Sequence, residues 1–469
     1  MPDKNDLIGD EEFSFSLGLV LRPASLPPLR CLSSKQISYL AIRIAGHYVA
    51  NPSQEVKVTR ANAQLKADFY DVIISGSTTA VVVAKSQSRK FWRRRLHREA
   101  DVDRLNYEAR NRVVGGSSSG AEIYASDATV IKARQKEAEI EKYLAGQVMV
   151  NTFTGEKISL SELARQALVN RFNELYWISK NLESIADERG MGWLFVTYTA
   201  PPEYHPNPLN GKCSYDAALG VKASHSYILS AWSRVRSLLS KRDIRSGIDT
   251  YFGMRTAETH KDGSVHWHIL VFVAPHLAQD FINASATQFA QYGQMKVEVG
   301  DPAIGSASSY IFKYLAKGFD PSVSGDSASS NGDEQVDEFR ENSDMASIRN
   351  GERVRAALRA MRIRQYQTFG VKNVLSLVRA INKLKGEEIQ SLTGEVALVV
   401  STEIWRNVKG LKYLLENDEL ITKVDGVAPL MIVKQEDTNI YGERILKYAG
   451  LKIGVHIIRT QGRYKIEKA

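Results

Sequence analysis

The chain has 469 residues, with 62 Lys and Arg against 53 Asp and Glu, a formal charge of +9 and a pI near 9.2. Apolar residues at 43% and charged residues at 25% exclude a wholly disordered chain, and no run of about 18 apolar residues suggests a membrane span. With only Cys31 and Cys213, a disulfide framework or a cysteine-rich zinc site is excluded. Together with an acidic N-terminus that lacks a secretory pattern, this predicts a cytoplasmic protein.

In chain order, the first marked feature is KSQSRKFWRRRLHR, residues 85–98, where seven Lys and Arg surround Phe91 and Trp92. Arg93, Arg94 and Arg95 there suit phosphate contacts, and the aromatics either stack on bases or turn inward from a solvated helix face. The run GGSSSG from Gly115 reads as a flexible connector. Leu160, Leu163, Ala164, Leu168, Phe172, Leu175 and Ile178 recur at helical spacing, predicting a helix that stops at Gly190. The period then changes. Trp193–Thr199 predicts a strand, 217–241 a helix, and 250–258 and 265–273 strands around Lys261-Asp262-Gly263. After these come a helix over 276–292, a strand over 294–299 and a helix over 307–317. This β-α-β-β-α-β-α order predicts an α+β fold: a central antiparallel sheet with helices on one face, of the ferredoxin or RRM-like type. From Asp320 to Asp344 the composition is that of an acidic disordered linker. An Arg-rich helix over 352–365 follows, with Arg355, Arg359 and Arg362 on one face to track a DNA backbone, then a short helix over 375–385 and mixed strands and turns. The domains expected are an N-terminal region to 114 with the basic segment, a helical lead-in over 115–190, a central domain over 191–319, the linker over 320–345 and a C-terminal domain over 346–469.

His266-Trp267-His268 carries the sharpest chemistry. On a strand, residues two apart share a face, so both imidazoles converge and can hold one divalent cation. A three-residue loop at Lys261-Asp262-Gly263, with Gly263 left-handed, places Glu258 opposite His266 and Thr256 opposite His268. A two-residue Asp-Gly turn instead brings Trp267 opposite Glu258 and breaks the group. Two imidazoles and a carboxylate suit Mg2+ or Mn2+. The second feature is Tyr310-Ile311-Phe312-Lys313-Tyr314-Leu315-Ala316-Lys317. On a helix, Tyr310 and Tyr314 share a face, and Lys313 and Lys317 each follow a tyrosine by three. Such phenols can attack phosphorus when a cation favours the phenolate; half-buried packing is the plain alternative. No G-x-x-x-x-G-K-[ST] occurs, so the sequence offers no recognisable P-loop and no ATP motor is expected.

Taken in order, the strand FVTYTAP, the segment GMRTAETH, DGSVHWH, YIFKYLAK and, past the linker, IRQYQTFG resemble the bacteriophage replication gene A protein family, within the HUH endonucleases. The resemblance runs with gaps from about Gly115 onward, and Val265 departs from the proline expected before the first histidine. It implies a nuclease that nicks single-stranded DNA at a replication origin to start rolling-circle replication. His266 and His268, with Glu258, would hold Mg2+ or Mn2+. Tyr310 and Tyr314, assisted by Lys313 and Lys317, would carry two successive transfers through a 5′-phosphotyrosyl link, leaving a free 3′-OH for the host polymerase in the bacterial cytoplasm. His205 and Asn210, in the loop after the first strand, read as ordinary loop polarity. A conjugative relaxase shares this chemistry but commonly carries its tyrosine upstream of the histidines. A non-catalytic RRM-like binding module would instead use Tyr198, Trp267 and Phe272 as stacking platforms.

Overall fold

The computed structural model describes residues 26–52, 55–59, 62–118, 120–152, 154–291, 293–301, 305–316, 319, 345–371, 374–384, 386–390, 392–394, 400, 409–459 and 464–469. The acidic segment 320–344 lies outside them. The chain divides into two units, Met1–Tyr107 with Lys434–Tyr448, and Glu108–Val433 with Ala449–Ala469. Among the described residues no helix is long and apolar enough to cross a membrane.

In the first unit, α1 (Ser34–Ala50) opens with a reciprocal capping box between Ser33 and Gln36. A small antiparallel sheet of β1 (Lys57–Val58), β2 (Ala63–Lys66) and β3 (Ile73–Gly76) follows, then α2 (Thr79–Ser86) and α3 (Arg89–Arg110). The basic segment spans the last residues of α2 and the first turns of α3. Its aromatics turn inward: Trp92 is fully buried, stacked on Tyr48 and donating from Nε1 to the Ser86 carbonyl at 2.6 Å. Phe91 packs edge-on against Trp92 and Tyr441. Neither ring is free to stack on a base. Arg93 and Arg94 are exposed, Arg94 donating to the Tyr441 hydroxyl, while Arg95 pairs with Glu99 one turn on at 2.8 Å.

The second unit is built around one long helix and one sheet. After α4 (Asp127–Ala145), β4 (Gln147–Asn151) and β5 (Lys157–Ser159), α5 spans Leu160–Glu188 and ends, as its periodicity predicts, before Gly190 at φ +60°. Then come β6 (Gly192–Thr199), α6 (Ala223–Ser240), β7 (Tyr251–Thr259), β8 (Val265–Val273), α7 (Ala278–Gln288), β9 (Met295–Val299) and α8 (Ala307–Ala316), in the predicted order. After residue 344 follow α9 (Met345–Met361), β10 (Tyr366–Phe369), α10 (Val374–Ile381), α11 (Gly386–Gln390) and α12 (Gly410–Glu416). The chain closes with β11 (Leu430–Thr438), β12 (Arg444–Ile453), β13 (His456–Arg459) and β14 (Tyr464–Lys468). The last of these pairs with β4.

The central sheet is antiparallel throughout, in the order β10-β7-β8-β6-β9. Two features differ from the sequence expectation. Helices cover both faces, not one. Side chains alternate along each strand, and here both sets are large and apolar, so each needs a cover. Tyr198 and Tyr251 meet Trp232 of α6 and Phe281 of α7 on one side. On the other, Phe195, Phe252, Met254, Leu270 and Phe272 form a core with α5, α8, α10 and α12. The second difference is β10, which joins the edge of β7 with Tyr366 opposite Thr256, so residues about a hundred positions further along the chain complete the sheet.

Two local readings are also corrected. The start of the GGSSSG segment is not a loose connector: Gly115 donates to Glu122 O and Gly116 to Asn207 O, at 2.7 and 3.0 Å. A Cβ on Gly115, at φ +92°, would stand 2.6 Å from the Asn207 carbonyl and 2.7 Å from the Asp262 Cα, so only glycine permits this approach to the β7–β8 hairpin. The Arg-rich helix α9 ends at Met361, and Arg362 has φ +54°, so Arg362 leaves the face it was expected to share with Arg355 and Arg359. That face is also occupied: Arg355 donates to the Phe319 carbonyl at 2.6 Å and Arg359 pairs with Glu137 of α4.

Candidate metal and nucleophile site

The β7–β8 hairpin closes with the three-residue loop. His260 N donates to Ser264 O at 2.7 Å, Gly263 N to His260 O at 2.9 Å, and Gly263 sits at φ +83°. Glu258 therefore stands opposite His266, and Thr256 opposite His268. Between the histidines, Trp267 points to the other face. It is fully buried there, its Nε1 donating to His225 Nδ1 at 3.1 Å and its ring lying 3.9 Å beneath the Arg255 guanidinium. A desolvated cation–π contact of this kind contributes on the order of 2 kcal/mol. It pins the strand so that both imidazoles lie on the opposite face of the sheet from Trp267. A buried Trp267, with Tyr198 and Phe272 equally enclosed, cannot serve as a stacking platform, so the RRM-like binding reading loses its surface.

Glu258 Oε2 lies 3.3 Å from His268 Nε2 and 3.6 Å from His266 Nε2, and ligand atoms of all three residues fall within 4.8 Å of one another. This is a possible metal-binding group. Its donor set fits a cation. Thr197 on β6 reaches His268 Nδ1 at 3.0 Å; with Nδ1–H donating there, the Nε2 lone pair faces the Glu258 carboxylate. Neither nitrogen of His266 finds a hydrogen bond, though both are buried. An unsatisfied buried donor or acceptor costs about 1–3 kcal/mol, and a divalent ion between these groups would remove that cost for Nε2, the nitrogen turned toward Glu258.

Helix α8 lies over this face. Tyr314 packs against His268, ring centroids 4.0 Å apart, and against Phe195 at 5.1 Å. Tyr310 stands one turn earlier, its centroid 6.3 Å from that of Tyr314, and donates to Glu298 of β9 at 2.5 Å. That hydrogen bond, then burial, pushes the Tyr310 phenol up to about 12; burial, then the charges of Glu258 and Glu298, raise Tyr314. The side chain of Lys313 and the whole of Lys317 lie outside the described residues.

Several members of the site were not foreseen. Thr197 and Glu298 come from strands whose apolar pattern predicts the strand but not which residues meet the site. His260 lies edge-on to His266 at 4.0 Å, with its pKa held well below the usual histidine value by burial and by the neighbouring His266 and His205. His205 is not idle loop polarity. Its Nδ1 lies 2.9 Å from Asp262 Oδ2 and 3.0 Å from Ser264 Oγ, and its Nε2 3.2 Å from the Ala200 carbonyl. Burial alone would lower its pKa, but the Asp262 hydrogen bond and charge prevail and raise it. Asn210 lines, with these residues, a cavity of about 650 Å3 beside the metal group.

Residues 72–322 match the family model described as bacteriophage replication gene A protein. The match thus begins in the N-terminal region, where the sequence alone offered no resemblance. Over 401 residues the chain is 25% identical to the probable replication protein P12 of Pseudoalteromonas phage PM2, covering 81% of this chain and 58% of that protein. It is 30% identical over 257 residues to the replication gene A protein of Escherichia phage 186, covering 51% and 36%. To a probable replication endonuclease from a prophage-like region of Escherichia coli O6:H1 it is 27% identical over 316 residues, covering 64% and 36%. The matched region thus spans between about a third and somewhat over half of these relatives' lengths. No solved structure matches the chain.

Proposed function

The chain belongs to the bacteriophage replication gene A protein family, and from that membership we propose that it is a site-specific single-stranded DNA endonuclease and strand transferase of the two-tyrosine HUH type, which initiates rolling-circle replication. The observation that carries the reading is the seating of Tyr314 on His268, with Tyr310 one turn away. A metal-binding group alone would fit many hydrolases. One phenol seated on it and a second one helical turn away fit two successive phosphoryl transfers.

In this reading Glu258, His266 and His268 hold Mg2+ or Mn2+, which when bound supplies a Lewis acid for a non-bridging phosphate oxygen. A tyrosine oxygen attacks phosphorus. The bond to the departing 3′ oxygen breaks, a 5′-phosphotyrosyl bond forms, and the phenolic proton passes to a base while the 3′ oxygen gains one. For Tyr310 the base is Glu298, already accepting its proton at 2.5 Å. Thr197 holds the imidazole of His268 in one tautomer, and Phe195 stacks on that ring at 5.6 Å to fix its plane. The second tyrosine repeats the exchange, which allows a closed circle to be released. The proposed partners are single-stranded DNA at an origin, a host helicase to expose it and a host polymerase to extend the 3′-OH. The test is incubation with labelled single-stranded DNA, with and without Mn2+, followed by a denaturing gel. A Mn2+-dependent band that survives denaturation supports the reading; cleavage with no protein-bound product overturns it.

A further inference from the structure

The cavity opens onto the metal group itself: its walls are the β7–β8 hairpin from Glu258 to Asp262 with His266 and His268, and three segments far from it in the chain, Tyr124, the loop after β6 with Leu209 and Asn210, and α9 with Asn350 and Val354. Its volume, about 650 Å3, falls in the range of sites that enclose a small organic group. Tyr124 stands out on its backbone. It is held at φ +67°, a left-handed conformation that an aromatic residue rarely adopts and that persists only where surroundings enforce it. The enforcement is visible. Tyr124 N donates to Lys261 O of the hairpin loop at 3.0 Å, and the Ala125 carbonyl next to it accepts from Arg353 of α9 at 2.5 Å. Strain is thus spent on presenting this ring between the hairpin and α9. Burial, then the charge of Glu258, raise its phenol, which places the ring within electrostatic reach of the metal group.

One side of the cavity is thus the imidazoles and carboxylates of the metal group and the hairpin, which suit a phosphate held through a cation; the Tyr124 ring, the apolar Leu209 and Val354 and the amides of Asn210 and Asn350 are the chemistry that receives a nucleobase, a ring face to stack on and paired donors and acceptors to meet its edge. We propose that this cavity seats the base of a nucleotide adjoining the scissile phosphate, with Tyr124 stacking on it and Asn210 and Asn350 reading its edge. The inference rests on the endonuclease reading and deepens it, since it assigns to this chain a position of sequence selection at the cut.

The experiment uses the full chain, Mn2+ and a pool of synthetic single-stranded DNA oligonucleotides randomised over their central positions. Adducts that resist denaturation are isolated and their DNA is sequenced. The wild-type protein is expected to show a base preference beside the nick. Tyr124→Gly removes the ring while suiting the left-handed backbone, and should lower adduct yield at limiting DNA by roughly tenfold or more, as loss of a stacking partner does. Tyr124→Asn, a residue also at home in that conformation, should do the same. Tyr124→Phe should keep yield and preference. Asn210→Ala combined with Asn350→Ala should flatten the preference while adducts still form. Adducts with unchanged yield and preference across these variants overturn the subsite alone. A Tyr124→Phe variant as impaired as Tyr124→Gly also overturns it, since the phenol would then act chemically. No adduct from the wild-type protein sinks the endonuclease reading, and the subsite with it.

Discussion

Tyr314 of α8 lies with its ring centroid 4.0 Å from that of His268 on β8, at an interplanar angle of 36°. Its partner Tyr310 is tied instead to Glu298. The two phenols are therefore not equivalent. One rests on the metal group, and the other is held on a carboxylate one turn away.

The first consequence is a division of labour. Tyr314→Phe should lower the first covalent adduct by at least about a hundredfold, as removal of a nucleophile does. Tyr310→Phe should retain that adduct but fail to release closed circles. The double variant should form none. Each keeps the ring that packs on Phe195, so circular dichroism should find all three folded. An adduct from the double variant would place the nucleophile elsewhere.

Metal dependence should follow the histidines and the threonine behind them. His266→Ala or His268→Ala should abolish adduct formation while leaving DNA affinity largely intact, because phosphate contacts carry most of it. Thr197→Val removes only the hydrogen bond to His268 Nδ1 and should weaken Mn2+ binding by about 10–100-fold. Calorimetric titration with Mn2+ measures this directly, and equal affinities for wild type and Thr197→Val would remove the threonine from the site.

The Tyr310–Glu298 pair makes a pH statement. The phenol is raised to about 12, chiefly because its neutral form donates to the Glu298 carboxylate. A raised folded-state value means that this contribution to stability is fully present below the ordinary tyrosine value near 10 and is lost as pH rises through about 12. Glu298→Gln should move the phenol back toward its ordinary value. NMR titration of ring-labelled tyrosine reads the shift, and an unmoved Tyr310 signal would contradict it.

Gly263 sets the register on which the metal group depends. An alanine there meets no close atom, the nearest lying 3.8 Å away, so its cost is conformational, about 1–2 kcal/mol for a left-handed L residue. Gly263→Ala should therefore lower Tm and, if the loop rearranges to escape the strain, weaken Mn2+ binding as well. Unchanged Tm and unchanged Mn2+ affinity together would show that the loop tolerates the substitution.

Arg355 separates a structural from a DNA-tracking role. It donates to the Phe319 carbonyl at 2.6 Å, a charged hydrogen bond of about 1.5–3 kcal/mol. Arg355→Gln should thus lower stability to denaturant and leave the salt dependence of DNA binding nearly unchanged. A flattened salt slope at unchanged stability would restore the DNA-backbone assignment.

What the sequence determined by itself is what short spacings control. The two-residue period placed His266 and His268 on one face, and the four-residue spacing put Tyr310 and Tyr314 on one side of a helix, while the sequence left two turns open at Lys261-Asp262-Gly263 and the structure chose the one that sets Glu258 against His266. Each depends on the backbone within a few residues, where sterics leave few choices. Only the tertiary structure decided what lies across from these groups. That α8 folds over β8 so that Tyr314 meets His268, that Thr197 backs the imidazole and Glu298 accepts a hydrogen bond from Tyr310, that β10 extends the sheet from about a hundred residues further along the chain, and that Gly115 admits the hairpin loop, are all contacts between distant segments. They arise because two apolar sheet faces must each be covered, and the choice of covering element depends on the summed packing of the whole unit, which no local pattern encodes.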